Sequence, residues 1–314
     1  MTPARAARPY AGEGDLRAMR RLLLEGRAGT GDWHYPHVGL LAWDFFMVVC
    51  HLDPQQHVHL WHDSEGRLMA YALLGEDPMI DWQVGRGHEW SGVEAEALAW
   101  AEERVAVLRC AGPERWGGPL AARARQDDPR RVTFLEGHGF RYRGEFTEVD
   151  MIRSLGGSVP EAVVPEGFRV RGVSGPEEAS ERASAEREVW LPATVGEIDG
   201  DDYARLMRLP GYRRELDVVA VASDGTIAAY VNCWLDPVNR IGNFGPVGAR
   251  PAFRRRGLTR AVLLEGMRRL QAAGMDRVCV STGEANHAAR CLYESVGFAV
   301  VDRCLDYVKA PSAG

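Results

Sequence analysis

Residues 246–262 read PVGARPAFRRRGLTRAV and crowd Arg250, Arg254, Arg255, Arg256 and Arg260 around one glycine, Gly257. Guanidinium groups in that arrangement suit three tasks: a solvated basic face, a nucleic-acid patch, or a seat for a small, highly charged anion. The chain as a whole separates them. Its 314 residues carry a net charge of −6 with His neutral, and 46% are hydrophobic. Sequence-independent nucleic-acid binding works by releasing phosphate counterions and needs a broad cationic footprint, which an acidic chain lacks. No nucleic-acid partner is expected, and the arginines read as a local device. Before them, NRIGNFGPVGARP (239–251) is a strand, because Pro246, three glycines and the apolar alternation exclude a helix. After them, LTRAVLLEGMRRLQAAG (258–274) places Leu263, Met267 and Leu270 on one helical face and stops at Gly274. The arginines therefore stand on a strand-to-helix turn. The unpaired N–H groups and dipole of a helix start bind anions, Gly257 lets the backbone come close, and arginines clamp phosphate oxygens from outside. The expected ligand is a pyrophosphate.

Other chemistry-bearing residues point nowhere as definite. HLDPQQHVHLWH (51–62) holds His51, His57, His59 and His62, and His-x-His can ligate a metal. No cysteine or carboxylate cluster completes a set, and a half-exposed strand gives the same alternation, so no metal is expected. The six cysteines (Cys50, Cys110, Cys233, Cys279, Cys291, Cys304) are scattered without CxxC spacing, which fits reduced thiols. MTPARAARPYAGEGDL lacks the apolar centre of a secretory signal. VGLLAWDFFMVVC (38–50) is too short to span a bilayer and contains Asp44. A cytoplasmic protein without membrane contact is expected.

The elements that must carry the loop occur twice. DSEGRLMAY (63–71) recurs as ASDGTIAAY (222–230), and FLEGHGF (134–140) as LYESVGF (292–298), at offsets of 159 and 158. Two matches at nearly one offset indicate a duplicated domain. SLGGSVPEAVVPEG (154–167) lies between them without periodicity and reads as the linker. Each copy opens with an amphipathic helix, GEGDLRAMRRLLLEG or SGPEEASERASAEREVW, followed by a hairpin turning at Glu65-Gly66 or Asp224-Gly225. In the second copy RVCVS (277–281) is a short buried strand, and Asn286 caps a helix that puts Ala289, Leu292, Tyr293 and Val296 on one face. The fold class is α/β: two domains, each a mixed sheet flanked by helices with a cleft at the strand ends. The boundaries are 1–153, a linker at 154–166, and 167–314.

Arg254-Arg255-Arg256-Gly257-Leu258-Thr259 resembles the Q/R-x-x-G-x-G/A loop of the GNAT superfamily of acyl-CoA N-acyltransferases. The preceding PVGARP and the later N-x-x-A-x-x-L-Y-E-S-x-G-F (Asn286, Ala289, Leu292, Tyr293, Gly297, Phe298) match as well, so the likeness covers most of 168–309. The two-copy layout is similar to that of tandem members. The resemblance implies that backbone groups of Val247, Gly248 and Ala249 pair with the pantetheine arm and polarise the thioester carbonyl. It implies that the amides of Arg254, Arg255, Arg256, Gly257, Leu258 and Thr259 hold the pyrophosphate, that Asn286 bonds the pantetheine end, and that Tyr293 protonates the leaving thiolate. Thr259 departs from the family's Gly or Ala, and its hydroxyl offers one more phosphate bond. The co-substrate implied is acetyl-CoA or a longer acyl-CoA.

Two departures matter. Several relatives carry a general-base glutamate eleven residues before the loop's Q/R, where this chain has Asn243, which takes no proton. The carboxylates left to consider are Glu197, Asp199, Asp236, Glu284 and Asp306, with Glu284 nearest the cleft in sequence. Gly242, Asn243 and Gly245 also remove bulk beside the acyl position, which suggests an acyl chain longer than acetyl. The first copy departs further. VGRGHEWSGVEAEALAW (84–100) has no Gln or Arg three residues before Gly92; it carries Glu94 and Glu96, while Leu135 replaces Tyr293 and Asp128 replaces Asn286. Carboxylates at that helix start satisfy the dipole and repel a pyrophosphate. The first copy is expected to be a degenerate structural partner that shapes the acceptor cleft. The expected activity is acyl transfer from acyl-CoA to a small-molecule amine such as an amino sugar or antibiotic. The alternative is a CoA-binding protein or sensor without turnover.

Overall fold

The computed structural model describes residues 5–30, 35–75, 77–190 and 198–311. The first half runs β1 (Ala6–Pro9), α1 (Glu13–Thr30), α2 (Val38–His51), α3 (Pro54–His57), β2 (Val58–His62), β3 (Leu68–Leu74), β4 (Met79–Val84), α4 (Val93–Ala111), α5 (Pro113–Trp116), β5 (Leu120–Arg125), α6 (Pro129–Gly137) and β6 (Arg141–Ser154). The second runs β7 (Phe168–Gly172), α7 (Ala179–Trp190), α8 (Gly200–Leu206), β8 (Asp217–Ala222), β9 (Ile227–Asp236), β10 (Ile241–Ala249), α9 (Leu258–Ala272), β11 (Arg277–Gly283), α10 (His287–Ser295) and β12 (Ala299–Lys309).

All twelve strands form one mixed sheet in the order β1-β2-β3-β4-β5-β12-β6-β11-β10-β9-β8-β7. The halves are interlocked at its centre. β6, from the first half, lies between β11 and β12 of the second, and β12 lies between β5 and β6 of the first. The parallel pairs, β4 with β5 and β10 with β11, are short. The first pairs only at Met79 and Ile80, and the second only over Ile241–Asn243, so both open into a gap.

On one face of the sheet α4 and α9 cover separate apolar cores, one around Trp82, Ala101 and Tyr307, the other around Phe244, Leu263 and Tyr293. On the other face α2 ties the halves together. Its Ala42 and Phe46 pack with Trp234, Tyr203 and Leu206 of the second half. Gly39 lies against Trp234 so closely that a Cβ would stand 2.4 Å from the indole. His37 begins α2; its Nδ1 accepts from the Gly39 N–H and its Nε2 donates to the Ile241 carbonyl at 3.2 Å on β10. Burial lowers the His37 pKa to about 3, which keeps the ring in the neutral form these two bonds need.

Candidate active site

The arginine turn is built as a helix start. Gly257 is the N-cap of α9 with φ +80°, a conformation that favours glycine, and Arg255 also has positive φ, +60°. Leu258 is buried and anchors the first turn, while Thr259 is half-buried and the side chains of Arg254, Arg255, Arg256 and Arg260 are exposed. Among the described residues none of Arg254, Arg255 and Arg256 pairs with a carboxylate; Arg254 Nε donates to the Ala249 carbonyl and Arg256 stacks 4.8 Å from the Phe168 ring. Arg250 does not belong with them. It is buried and bonded to Glu188 at 2.5 Å and Glu181 at 2.8 Å, so its charge locks the turn onto α7.

Beside the turn, β10 shifts register against β9 between Phe244 and Val247 and leaves β11 after Asn243. Val247, Gly248 and Ala249 therefore pair with β9 on one edge and with no described strand on the other. Gly248 has no room for a side chain, since a Cβ would lie 2.6 Å from Val189 and 2.7 Å from the Tyr230 hydroxyl. Phe244, at the fork, meets Phe298 at 6.0 Å, and Phe298 meets Tyr293 at 5.8 Å. Tyr293 is 6% exposed, and no described group accepts from its hydroxyl, unlike a core tyrosine bonded to a carbonyl. Burial raises its pKa. Asn286 caps α10 through Oδ1, accepting from the Ala289 N–H at 3.2 Å, which leaves its amide Nδ2 for a ligand.

Asn243 is buried, its Nδ2 donating to Cys279 Sγ at 3.5 Å and its Oδ1 unpartnered. Gly242 opens no acyl space; a Cβ there would strike Leu270 of α9 at 2.5 Å, so its missing side chain serves packing. Among the carboxylates weighed as the base, Asp199 closes a capping box on α8, Asp236 faces Arg27 and Asn239, and Glu284 pairs with Arg303 at 3.0 Å. Glu197 lies outside the described residues. Asp306 alone leads somewhere, to the seam between the halves.

There the sheet face opposite α4 and α9 is polar across six strands: Asp81 and Gln83 on β4, Arg123 and Arg125 on β5, Asp306 on β12, Glu148 and Asp150 on β6, Ser281 on β11, Asn243 on β10. Arg123 bridges Glu148 at 3.0 Å and Asp306 at 3.2 Å, Arg125 pairs with Asp302 and Asp150, and Ser281 donates to Asp150 at 2.5 Å. Although these strands are central, the Asp81 and Arg123 side chains remain 43% and 42% exposed, so the floor is open to water. Asp44 of α2, itself exposed, lies within electrostatic reach of Asp81, Arg123 and Glu148. Burial raises its carboxyl to about 7; Asp81 and Glu148 push the same way and Arg123 opposes them. Burial likewise raises Asp81, Glu148 and Asp150. Asp81, Arg123, Arg125, Glu148, Asp150 and Ser281 belong to no motif in the sequence. Their signal is the polar alternation D-W-Q, R-A-R, E-V-D and D-R-C-L-D, each unremarkable in isolation.

Asp44 gives a pH test. An unfolded aspartate titrates near 4. Folded, Asp44 holds its proton to about pH 7, so stability is lost as pH rises from about 4 to 7 and is flat above. Asp44→Asn removes that loss. Melting curves are expected to converge near pH 4, with the variant roughly 2–4 °C higher at pH 7.5, a shift held small by solvent screening.

The equivalent gap in the first half is filled. Arg131 spans it, donating to the Arg123 carbonyl at 2.8 Å on β5 and the Trp82 carbonyl at 3.5 Å on β4, with its guanidinium 3.8 Å from the Trp82 ring. At the start of α4, Glu94 accepts from the Trp90 N–H and Glu96 pairs with Arg5 at 2.8 Å. Of the histidines, His57 bonds the Leu74 carbonyl and His59 stacks on Trp100. A cavity of about 730 Å³ against α1, lined by Arg8, Asp15, Arg67 and His88 among others, shares none of the cleft residues. No helix among the described residues is long and apolar enough to cross a membrane.

Residues 183–298 match the family model for the acetyltransferase (GNAT) family. A mycothiol acetyltransferase of Kineococcus radiotolerans is 28% identical over 265 residues, 81% of this chain and 82% of that protein. One of Nocardioides sp. is 26% identical over 202 residues, 59% of this chain and 68% of that protein. A GCN5-related N-acetyltransferase from Sphaerobacter thermophilus shares the fold with a TM-score of 0.65 at 22% identity, covering 99% of this chain and 96% of that one. A tandem GNAT protein from the clavulanic acid biosynthesis pathway does so with a TM-score of 0.65 at 16% identity, covering 99% and 100%. Residues 183–298 are accordingly a GNAT acetyltransferase domain by family, and the whole chain shares the fold of tandem GNAT proteins.

Proposed function

We propose that the second half moves an acetyl group from acetyl-CoA to a primary amine of a small molecule lying over the seam. The observation that carries this is the pairing of an uncommitted arginine turn on the start of α9 with the open β10–β11 gap beside it. Amides at the turn hold the diphosphate, Arg254, Arg255 and Arg256 fence it, and the free edge of Val247, Gly248 and Ala249 polarises the carbonyl. Tyr293 gives its proton to the departing sulfur. A thiol titrates near 8.5, below a phenol, so full transfer is uphill and the Tyr293 hydroxyl acts first as a hydrogen-bond donor to the charge building on sulfur. The reacting ammonium loses its proton to the carboxylate floor. Asp150 is the nearest of these carboxylates by register, one strand beyond Ser281. The first half, with its gap plugged by Arg131, serves as the opposite wall of the acceptor site.

Calorimetry with coenzyme A tests the seat. Wild-type protein binds, and the triple change Arg254→Ala, Arg255→Ala, Arg256→Ala weakens binding by at least about tenfold, as loss of charge-assisted bonds predicts. No heat with the wild type would end this reading. Thiol release over an amine panel then separates a transferase from a protein that only binds CoA. Acetyl-CoA is expected to outperform octanoyl-CoA, because Leu270 fills the side-chain position of Gly242 and that glycine adds no acyl space.

A further inference from the structure

The polar floor over the seam is long, and its two ends differ. At one end lies the β10–β11 gap, where the acetyl group is handed over. At the other, Asp44 on α2 stands near Asp81 on β4. Adjacent strands are about 4.8 Å apart, so the four spacings from β11 to β4 amount to about 19 Å of floor. One small amine cannot touch both ends.

The far end is built as though something were to be held there. Asp44 makes no ion pair or hydrogen bond among the described residues, whereas Arg123, the guanidinium beside it, is committed to Glu148 and Asp306. Arg131 is 3.9 Å from Asp81 and is turned to the backbone carbonyls of the plugged gap. Asp44 is therefore left without a cation of its own among the described residues. A second, independent feature is Tyr71 on β3. It is 1% exposed, its hydroxyl is buried without a partner, and the charges it feels are those of Asp81 and Asp44. A buried hydroxyl left unbonded is costly, and a ligand that bonds it recovers that cost. A cation with several N–H donors suits one phenol oxygen and two carboxylates.

We propose that the acceptor is an extended polycation, whose reacting amine sits at the β10–β11 gap while a second ammonium is held by Asp44, Asp81 and the Tyr71 hydroxyl. This rests on the acetyl-transfer reading and sharpens it: a compact monoamine covers one end of the floor, and a chain or ring system with ammonium groups about 10–20 Å apart covers both.

Steady-state thiol release with acetyl-CoA tests it, using spermine as the long polycation and n-butylamine as the monoamine. Wild-type kcat/KM for spermine is expected to exceed that for butylamine by roughly a hundredfold at low salt, the ratio shrinking as salt is raised. Asp44→Asn and Asp81→Asn should each lower that ratio by about tenfold through KM for spermine, with unchanged CoA affinity certifying the fold. A wild-type ratio near one, or a ratio untouched by both substitutions, overturns the proposal while leaving acetyl transfer standing. Protein that binds coenzyme A and acetylates neither amine overturns both.

Discussion

Tyr293→Phe is expected to lower kcat for thiol release by roughly 10²- to 10³-fold while leaving CoA affinity and melting temperature nearly unchanged. The three readouts follow from one feature. The ring is buried among Phe298 and the second-half core, so phenylalanine refills the site. The hydroxyl has no described partner, so its removal breaks no bond that supports the fold or the seat. What disappears is the proton that the departing sulfur needs. Burial raises the phenol's pKa and keeps it protonated through the neutral and mildly alkaline range, so no alkaline loss of rate below about pH 10 should trace to Tyr293. A variant with full activity would make Tyr293 a packing residue and leave the leaving group to depart unaided.

The turn at Gly257 was legible in the sequence because everything that builds it is local. A strand pattern, a run of arginines, one glycine and an amphipathic helix lie within 36 residues, from Asn239 to Gly274. Asn286 and Tyr293 were legible for the same reason, sharing one helix behind a cap. Even there, side-chain direction was hidden. Arg250 reads as a fifth member of the cluster, but its position at the end of β10 turns it inward to Glu181 and Glu188. Gly242 reads as spare volume, but strand alternation sends it toward Leu270. The polar floor was not legible. Asp81, Arg123, Glu148 and Asp306 come from four strands and form one surface only because β12 and β6 trade places at the centre of the sheet. Each strand alone shows the alternation of any half-exposed strand. Asp44 was hidden differently, as a single charge in an apolar run, VGLLAWDFFMVVC, whose other side chains bind α2 to both halves.

That interlock makes the last prediction a large one. Expressed separately, residues 1–158 and 159–314 are each expected to fail to fold; expressed together they should assemble into a soluble, CoA-binding complex. A pair of independent tandem domains would behave in the opposite way. Here β6 has both its neighbours, β11 and β12, in the other half, and β12 has both of its own, β5 and β6, in the first. Cutting the chain and removing one half strips the surviving terminal strand of every ladder bond to a neighbour. It also exposes side chains that are now fully covered: Val149 and Met151 on β6, Tyr307 on β12, Phe46 on α2. At about 1.5–3 kcal/mol for each large apolar side chain, the three laid bare on residues 1–158 alone amount to about 4.5–9 kcal/mol, comparable with the 5–15 kcal/mol that holds a typical domain together. Soluble yield and thermal melts followed by circular dichroism decide the matter. A cooperative melt from isolated 159–314 would mean that β12 can fold back onto β11 in place of β6, and that the acceptor floor is not a necessary consequence of the fold. Failure of both halves alone, with recovery on co-expression, would mean that the cleft exists only because neither domain is complete without the other.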